Sequence, residues 1–189
     1  MNIWVMNADG SGAKPLTKLT ASQMDCRSPA WSADGTKIAY YSERALDGSD
    51  TMSSNPYNIW VINADGSKDS PLTQLTAYAA DSLYPQWSPD GTKLAFNSSR
   101  ALDGSNAANG SEPYTQNVWV MKSDGTSALP ITSQTNFSVI RATFVAVAAL
   151  NIIELAGSLG GMTMVTIAGC NRFDMSQRLR IQFRLRKRD

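Results

Sequence analysis

The sequence predicts an all-β chain: a partial β-propeller of four-stranded antiparallel blades, followed by a divergent apolar and basic C-terminal tail whose fold the repeat does not specify. Three observations carry this. The decapeptide NIWVMNADGS at residues 2–11 returns as NIWVINADGS at 58–67 and as NVWVMKSDGT at 117–126. The longer run SPAWSADGTKIAYYSERALDGS at residues 28–49 returns as YPQWSPDGTKLAFNSSRALDGS at 84–105. All five tryptophans, Trp4, Trp31, Trp60, Trp87 and Trp119, fall at equivalent places of the repeat. Such a period marks one supersecondary unit, which cannot bury its apolar faces alone and stacks on copies of itself.

Within a unit, the first strand enters at Trp31 just after Pro29, where a missing N–H does little harm. Asp34-Gly35 turns the chain, because glycine tolerates positive φ and aspartate bonds its own backbone. KIAYYS at residues 37–42 is β-branched and aromatic, as strands prefer. After a loop, NIWVIN at 58–63 is almost continuously apolar and reads as a strand covered on both faces. Asp65-Gly66 makes a second hairpin, and SPLTQLT at 70–76 supplies the outer strand. The Trp, Ile and Val residues of these runs are expected to pack blade on blade. Residues 1–20 then supply half a blade, 28–77 and 84–136 two complete ones, and 137–189 the tail.

The run AWSADGTKIAY…NIWVINADGS…PLTQLT, and WSPDGTKLAF at residues 87–96 above all, resembles the WD-like propeller repeat of the TolB family of bacterial envelope proteins. The resemblance covers about residues 1–136. It implies a binding platform in the periplasm or outside the cell, acting on a protein partner or ligand, and a chain that is a fragment of a larger propeller. The protein that gives the family its name also carries an N-terminal α/β domain and contacts a peptidoglycan-associated lipoprotein. No α/β pattern precedes the repeat here, so that partner does not transfer. The same repeat forms the non-catalytic propeller of some serine peptidases, whose hydrolase domain has no counterpart in these residues.

Composition narrows the chemistry. The chain has 189 residues, 42% hydrophobic and 17% charged, which fits a folded core. Its net charge of +1 conceals a split: 9 Lys+Arg against 13 Asp+Glu over residues 1–136, and 8 against 3 over 137–189. With no histidine, the commonest general base and metal ligand is missing, along with every triad built on imidazole. Two cysteines, Cys26 and Cys170, set no disulfide framework. Repeat sequence follows Met1 at once, so no signal peptide is expected within the chain. No P-loop, dinucleotide fingerprint or Cys/His metal spacing occurs.

Two segments depart from the repeat. The connections at residues 44–56 and 100–116 both begin RALDGS and then diverge into Ser, Asn, Gly and Pro. Emerging on one rim of adjacent blades, they are expected to lie side by side, and Asp47, Asp50, Asp103, Asn106 and Glu112 offer oxygen ligands to a hard cation such as Ca²⁺. The competing reading is that Asp-Gly-Ser only turns the chain. No other cofactor is expected. The Asp-Gly acids Asp9, Asp34, Asp65, Asp90 and Asp124 read as turn formers and not as a glycosidase pair.

The tail is the second departure. Between Thr143 and Cys170 the sole charged residue is Glu154, and the chain ends RLRIQFRLRKRD. Three readings follow: a membrane contact over residues 143–170, a helix over 144–155 with a strand over 163–168, or a non-native extension of a truncated gene. One short basic run does not imply nucleic-acid binding. AGSLG at residues 156–160 matches a lipase-type nucleophile elbow, which makes Ser158 the nucleophile of an alternative esterase-like reading, although no imidazole base accompanies it. Otherwise no catalytic residue is favoured. About two and a half blades leave apolar faces open, so self-association is expected unless the tail folds over one of them.

Overall fold

The computed structural model describes residues 1–20, 25–50, 56–109 and 115–134, together with the backbone of 139–147, 150–159 and 162–169. Strands β1 (Trp4–Val5) and β2 (Lys14–Pro15) form a two-stranded sheet. The first full blade is β3 (Cys26–Trp31), β4 (Lys37–Ser42), β5 (Asn58–Asn63) and β6 (Ser70–Pro71), paired antiparallel in that order. The second repeats it with β7 (Ser82–Trp87), β8 (Lys93–Ser98), β9 (Asn117–Lys122) and β10 (Leu129–Pro130). A three-stranded meander follows: β11 (Val139–Val147), β12 (Leu150–Leu159) and β13 (Met162–Gly169). No helix among the described residues is long and apolar enough to cross a membrane.

The decapeptide explains itself at its first residue. The Asn58 side chain accepts from Thr73 Oγ1 at 2.9 Å and from Leu75 N at 2.9 Å, and donates to Leu75 O at 2.9 Å. Asn2 holds Thr17 and Leu19 in the same way, and Asn117 holds Thr132 and Gln134. One buried amide thus replaces the ladder for the chain beyond the edge strand, whose backbone would otherwise be unsatisfied. That is why the outer strand is two residues, Ser70–Pro71, and not the seven expected: Leu72 N and Thr73 N both donate to Ile59 O, and the Asn58 amide takes over.

Trp31 ends β3 instead of entering it, and Pro29 lies inside the strand. The pairing slips between Arg27 and Ala30, and again between Leu83 and Gln86, with Ser28 (φ 50°) and Tyr84 (φ 55°) in the left-handed region. A bulge leaves one residue outside the ladder, so Pro29 costs no hydrogen bond there. A side chain at positive φ costs about 1–2 kcal/mol. The edge-on contact of Tyr84 with the Tyr41 ring, 5.4 Å between centroids, offsets part of that.

Alternation along β4 and β5 divides the core in two. Ile38, Tyr40, Trp60 and Ile62 face the half blade and pack on Ile3 and Leu16. Ala39, Tyr41 and Ile59 face the second blade and pack on Trp87, Leu94, Phe96, Trp119 and Met121. Burying a large aliphatic or aromatic side chain stabilises by about 1.5–3 kcal/mol, so each junction is held chiefly by these faces. Trp60 and Trp119 are essentially fully buried, whereas Trp4 is 61% and Trp31 50% exposed. The exposure of Trp4 agrees with the open face expected of the half blade, since no sheet covers the outer face of β1 among the described residues; at Trp31 the blade-on-blade role fails, because the half blade has no described strand opposite β3.

The helix expected over residues 144–155 is replaced by β11 and β12, joined in a continuous register from Arg141↔Ala156 to Val147↔Leu150. A run apolar on every side has no amphipathic helical stripe, and Val145, Val147, Ile152 and Ile153 are β-branched. The strand expected over 163–168 is present within β13. β11 lies against β7, β8 and β9, so the second blade carries a sheet on its far side.

Candidate functional site

Each Asp-Gly hairpin is closed by its own carboxylate. Asp34 Oδ1 accepts from Ser32 Oγ at 2.6 Å, Thr36 N at 3.0 Å and Thr36 Oγ1 at 2.9 Å, which pulls its pKa down to about 2. Asp90 is held alike by Ser88 and Thr92. Asp9, Asp65 and Asp124 accept from the Ser or Thr two residues on, and those hydrogen bonds lower their pKa values too. These acids are fixed acceptors, poorly suited to trade protons near neutrality.

Where the Asp34 and Asp90 turns of neighbouring blades meet, a groove of about 370 Å³ opens. Asp34, Lys37, Trp87, Asp90 and Ser123 are among the residues that line it. Trp87 is placed by its indole N–H, which donates to Ala30 O of the preceding blade at 3.0 Å. A lining that combines one aromatic ring with polar and oppositely charged side chains suits a short polar segment or small polar ligand.

The rim-loop residues separate into two kinds. Asp47 Oδ1 accepts from Ser49 N at 2.8 Å, and Asp103 Oδ1 from Ser105 N at 2.8 Å, so both turn their own loops. Asp50 reaches back to the half blade, accepting from Thr20 N and, at 2.6 Å, from Thr20 Oγ1. Asn106 repeats this on the first blade, accepting from Thr76 N at 2.8 Å and Ala77 N at 3.2 Å. The structure thus uses Asp50 and Asn106 as latches between blades. Among the described residues no three acidic or cysteine side chains are gathered as a metal cluster. Glu112 lies outside the described residues, as do Cys170 and the basic end, residues 178–189. Cys26 is a buried free thiol.

Ser158 lies in β12, opposite Thr163 of β13. A nucleophile elbow needs a sharp strand-to-helix turn at the serine, whereas here the strand runs on past Ser158 to Leu159.

Sequence reasoning missed the buried cations of the two RALDGS loops. Arg44 stacks on the Trp60 ring, 3.7 Å from its centroid, and donates to Tyr40 Oη at 2.8 Å and Asp69 Oδ2 at 2.6 Å. Tyr40 in turn donates to Asp69 Oδ1 at 2.6 Å. Burial pushes the Tyr40 hydroxyl pKa far up, Arg44 pulling it down and Asp69 adding to the rise. The signal was present: an arginine stands at the same place in both repeats, although such a residue is seldom buried without a partner. Asp81 was missed as well. It accepts from Tyr57 N at 2.9 Å, and burial raises its pKa.

No family model matches the chain. A stretch of 104 residues is 29% identical to an uncharacterized peptidase, YuxL, of Bacillus subtilis; it is 55% of this chain and 13% of that protein. Among solved structures, a TolB from Agrobacterium tumefaciens superposes with a TM-score of 0.62 at 18% identity, covering 89% of this chain and 53% of that one. An oligogalacturonate lyase from Vibrio parahaemolyticus superposes with a TM-score of 0.51 at 15% identity, covering 88% and 41%. The chain spans about half the length of the TolB structure it matches. Repeat, sheet order and these likenesses agree: the chain has the fold of the TolB-like β-propellers.

Proposed function

We propose that the chain is a non-catalytic binding module, a platform for a protein segment or small polar ligand, from a bacterial envelope or secreted protein. The observation that carries this reading is the groove between the Asp34 and Asp90 turns. It is concave and lined in part by Trp87, and its carboxylates are committed to hydrogen bonds within their own turns. Such acids orient and repel; they do not serve as general acid or base. A protein partner or a second copy of the chain on the exposed Trp4 face is the companion expectation.

The test uses random heptapeptides displayed on phage and selected on the immobilised full chain. Enriched peptides should lose binding when Ser123→Trp fills the groove, while the melting profile stays unchanged. Enrichment that ignores Ser123→Trp, or no enrichment, overturns the groove as the binding site. In parallel, hydrolysis of p-nitrophenyl acetate by the native chain and by Ser158→Ala should be equal and at the buffer rate. A loss on Ser158→Ala would establish the hydrolase reading in its place.

A further inference from the structure

The second blade repeats the buried arginine without its partners. Arg100 is 8% exposed, and its guanidinium stacks on Trp119 at 3.9 Å, as Arg44 stacks on Trp60. Superposing the repeats sets Phe96 where the first blade has Tyr40, and Ala128 where it has Asp69. Both groups that hydrogen-bond Arg44 are therefore hydrocarbon around Arg100. Its Nε, like that of Arg44, is buried with no partner, and, unlike Arg44, it has no ion pair among the described residues. Burial lowers its pKa. A guanidinium stays charged in proteins, so the site holds a largely buried cation with at least its Nε–H unspent.

The vacated position is not sealed. Asp69 is 21% exposed where it pairs with Arg44. Its counterpart Ala128 is half-buried beside Leu129, which is 51% exposed, at the start of edge strand β10. We propose that this position beside Ala128 is a carboxylate-binding site, in which an external carboxylate docks on the Arg100 guanidinium as Asp69 docks on Arg44. A planar fork above an indole ring favours a carboxylate, which accepts two parallel N–H bonds, over a spherical anion. The carboxylate has two sources, a small free acid or an Asp or Glu side chain of a protein. This site is independent of the groove at the Asp34 and Asp90 turns and stands or falls without it.

The experiment is thermal unfolding of the full chain at pH 7 in sodium acetate against sodium chloride of equal ionic strength, with a third arm containing the capped peptide acetyl-Gly-Asp-Gly-amide. The native chain should melt about 2–4 °C higher at saturating carboxylate than in chloride. A rise with acetate marks a site open to small acids; a rise with the peptide alone marks one shaped for a protein side chain. Arg100→Met, which replaces the cation by hydrocarbon of similar length, should lose the response. Ala128→Asp, which rebuilds the first-blade partner, should raise the melting temperature without any ligand and also lose the response. No rise in either arm for the native chain overturns the proposal, as does an undiminished rise in Ala128→Asp. If Arg100→Met does not fold, Ala128→Asp alone decides, because it keeps the arginine and the aromatic stack.

Discussion

Removing the carboxylate from the first-blade cluster should bring Arg44 toward the state of Arg100, which lacks both the carboxylate and the hydroxyl. Asp69→Ala leaves a guanidinium buried on Trp60 with only Tyr40 beside it, and breaking a buried pair from one side typically costs about 3 kcal/mol. Urea unfolding should show that loss, and Asp69→Asn, which keeps an acceptor, should lose less. Asp81 gives a second residue-scale prediction with a definite sign. Its folded pKa lies above the ordinary 3.8, because burial penalises the charged form and no cation compensates. Folding therefore favours the protonated acid: that stabilisation is complete below 3.8 and is lost as pH rises through the raised folded value. Asp81→Asn keeps the acceptor for Tyr57 N and cannot ionise. Its unfolding midpoint should gain on that of the native chain as pH rises from about 4 toward 7. A constant gap across that range would show that Asp81 does not titrate differently in the folded state.

At the scale of elements, the hairpin turns and the latches divide the work. Gly10 and Gly125 occupy the same turn of different repeats, with φ of +84° and +86°. A methyl group on Gly10 meets nothing within 4 Å, whereas on Gly125 it would sit 2.7 Å from Leu72 O of the preceding blade. Gly10→Ala should therefore cost about 1–2 kcal/mol for backbone conformation alone, and Gly125→Ala measurably more. Comparing the two by denaturant unfolding isolates the inter-blade contact. The latches act similarly: Asp50→Ala and Asn106→Ala should each lower stability by about 1 kcal/mol. Amide exchange should quicken at Thr20 in the first variant, and at Thr76 and Ala77 in the second.

These elements were unequally legible. Strands Lys37–Ser42 and Asn58–Asn63 and the Asp-Gly turns follow from local composition, because β-branched runs and glycines at positive φ act within a few residues. The bulge at Tyr84 and the two-residue β6 did not, because each is met by a side chain supplied from elsewhere, the Tyr41 ring or the Asn58 amide. The candidate site was legible by rim but not by role. RALDGS marked both loops, yet only tertiary structure separates Asp47, which turns its own chain, from Asp50, which ties down Thr20. A single sequence of the tail could not choose helix over strand, since an all-apolar run carries neither period clearly.

For the molecule as a whole, the uncovered surface is one-sided. β11 lies against the second blade, so of the two apolar faces expected to be open, that one carries a sheet. The face bearing Trp4, 61% exposed, and Met6, 65% exposed, has no such cover among the described residues. At the equivalent places Trp60 and Ile62 are buried under the half blade, which shows what this face is shaped to receive. Light scattering should find the native chain associating at micromolar concentration and the double variant Trp4→Ser, Met6→Ser not doing so. A native chain that stays a 20.5 kDa monomer would rule out association through this face.

The bonds that tie blade to blade have a direction in the chain. Met1 to Asp25, Tyr57 N to Asp81, Thr20 to Asp50, Thr76 to Asn106 and Ala30 O to Trp87 each join a blade to the one translated before it. None of these bonds spans more than 57 residues. A ribosome releasing this chain therefore presents each blade with a partner surface already outside the exit tunnel. Assembly can then advance one unit at a time, each new blade docking on the one already folded while it waits for its last strand.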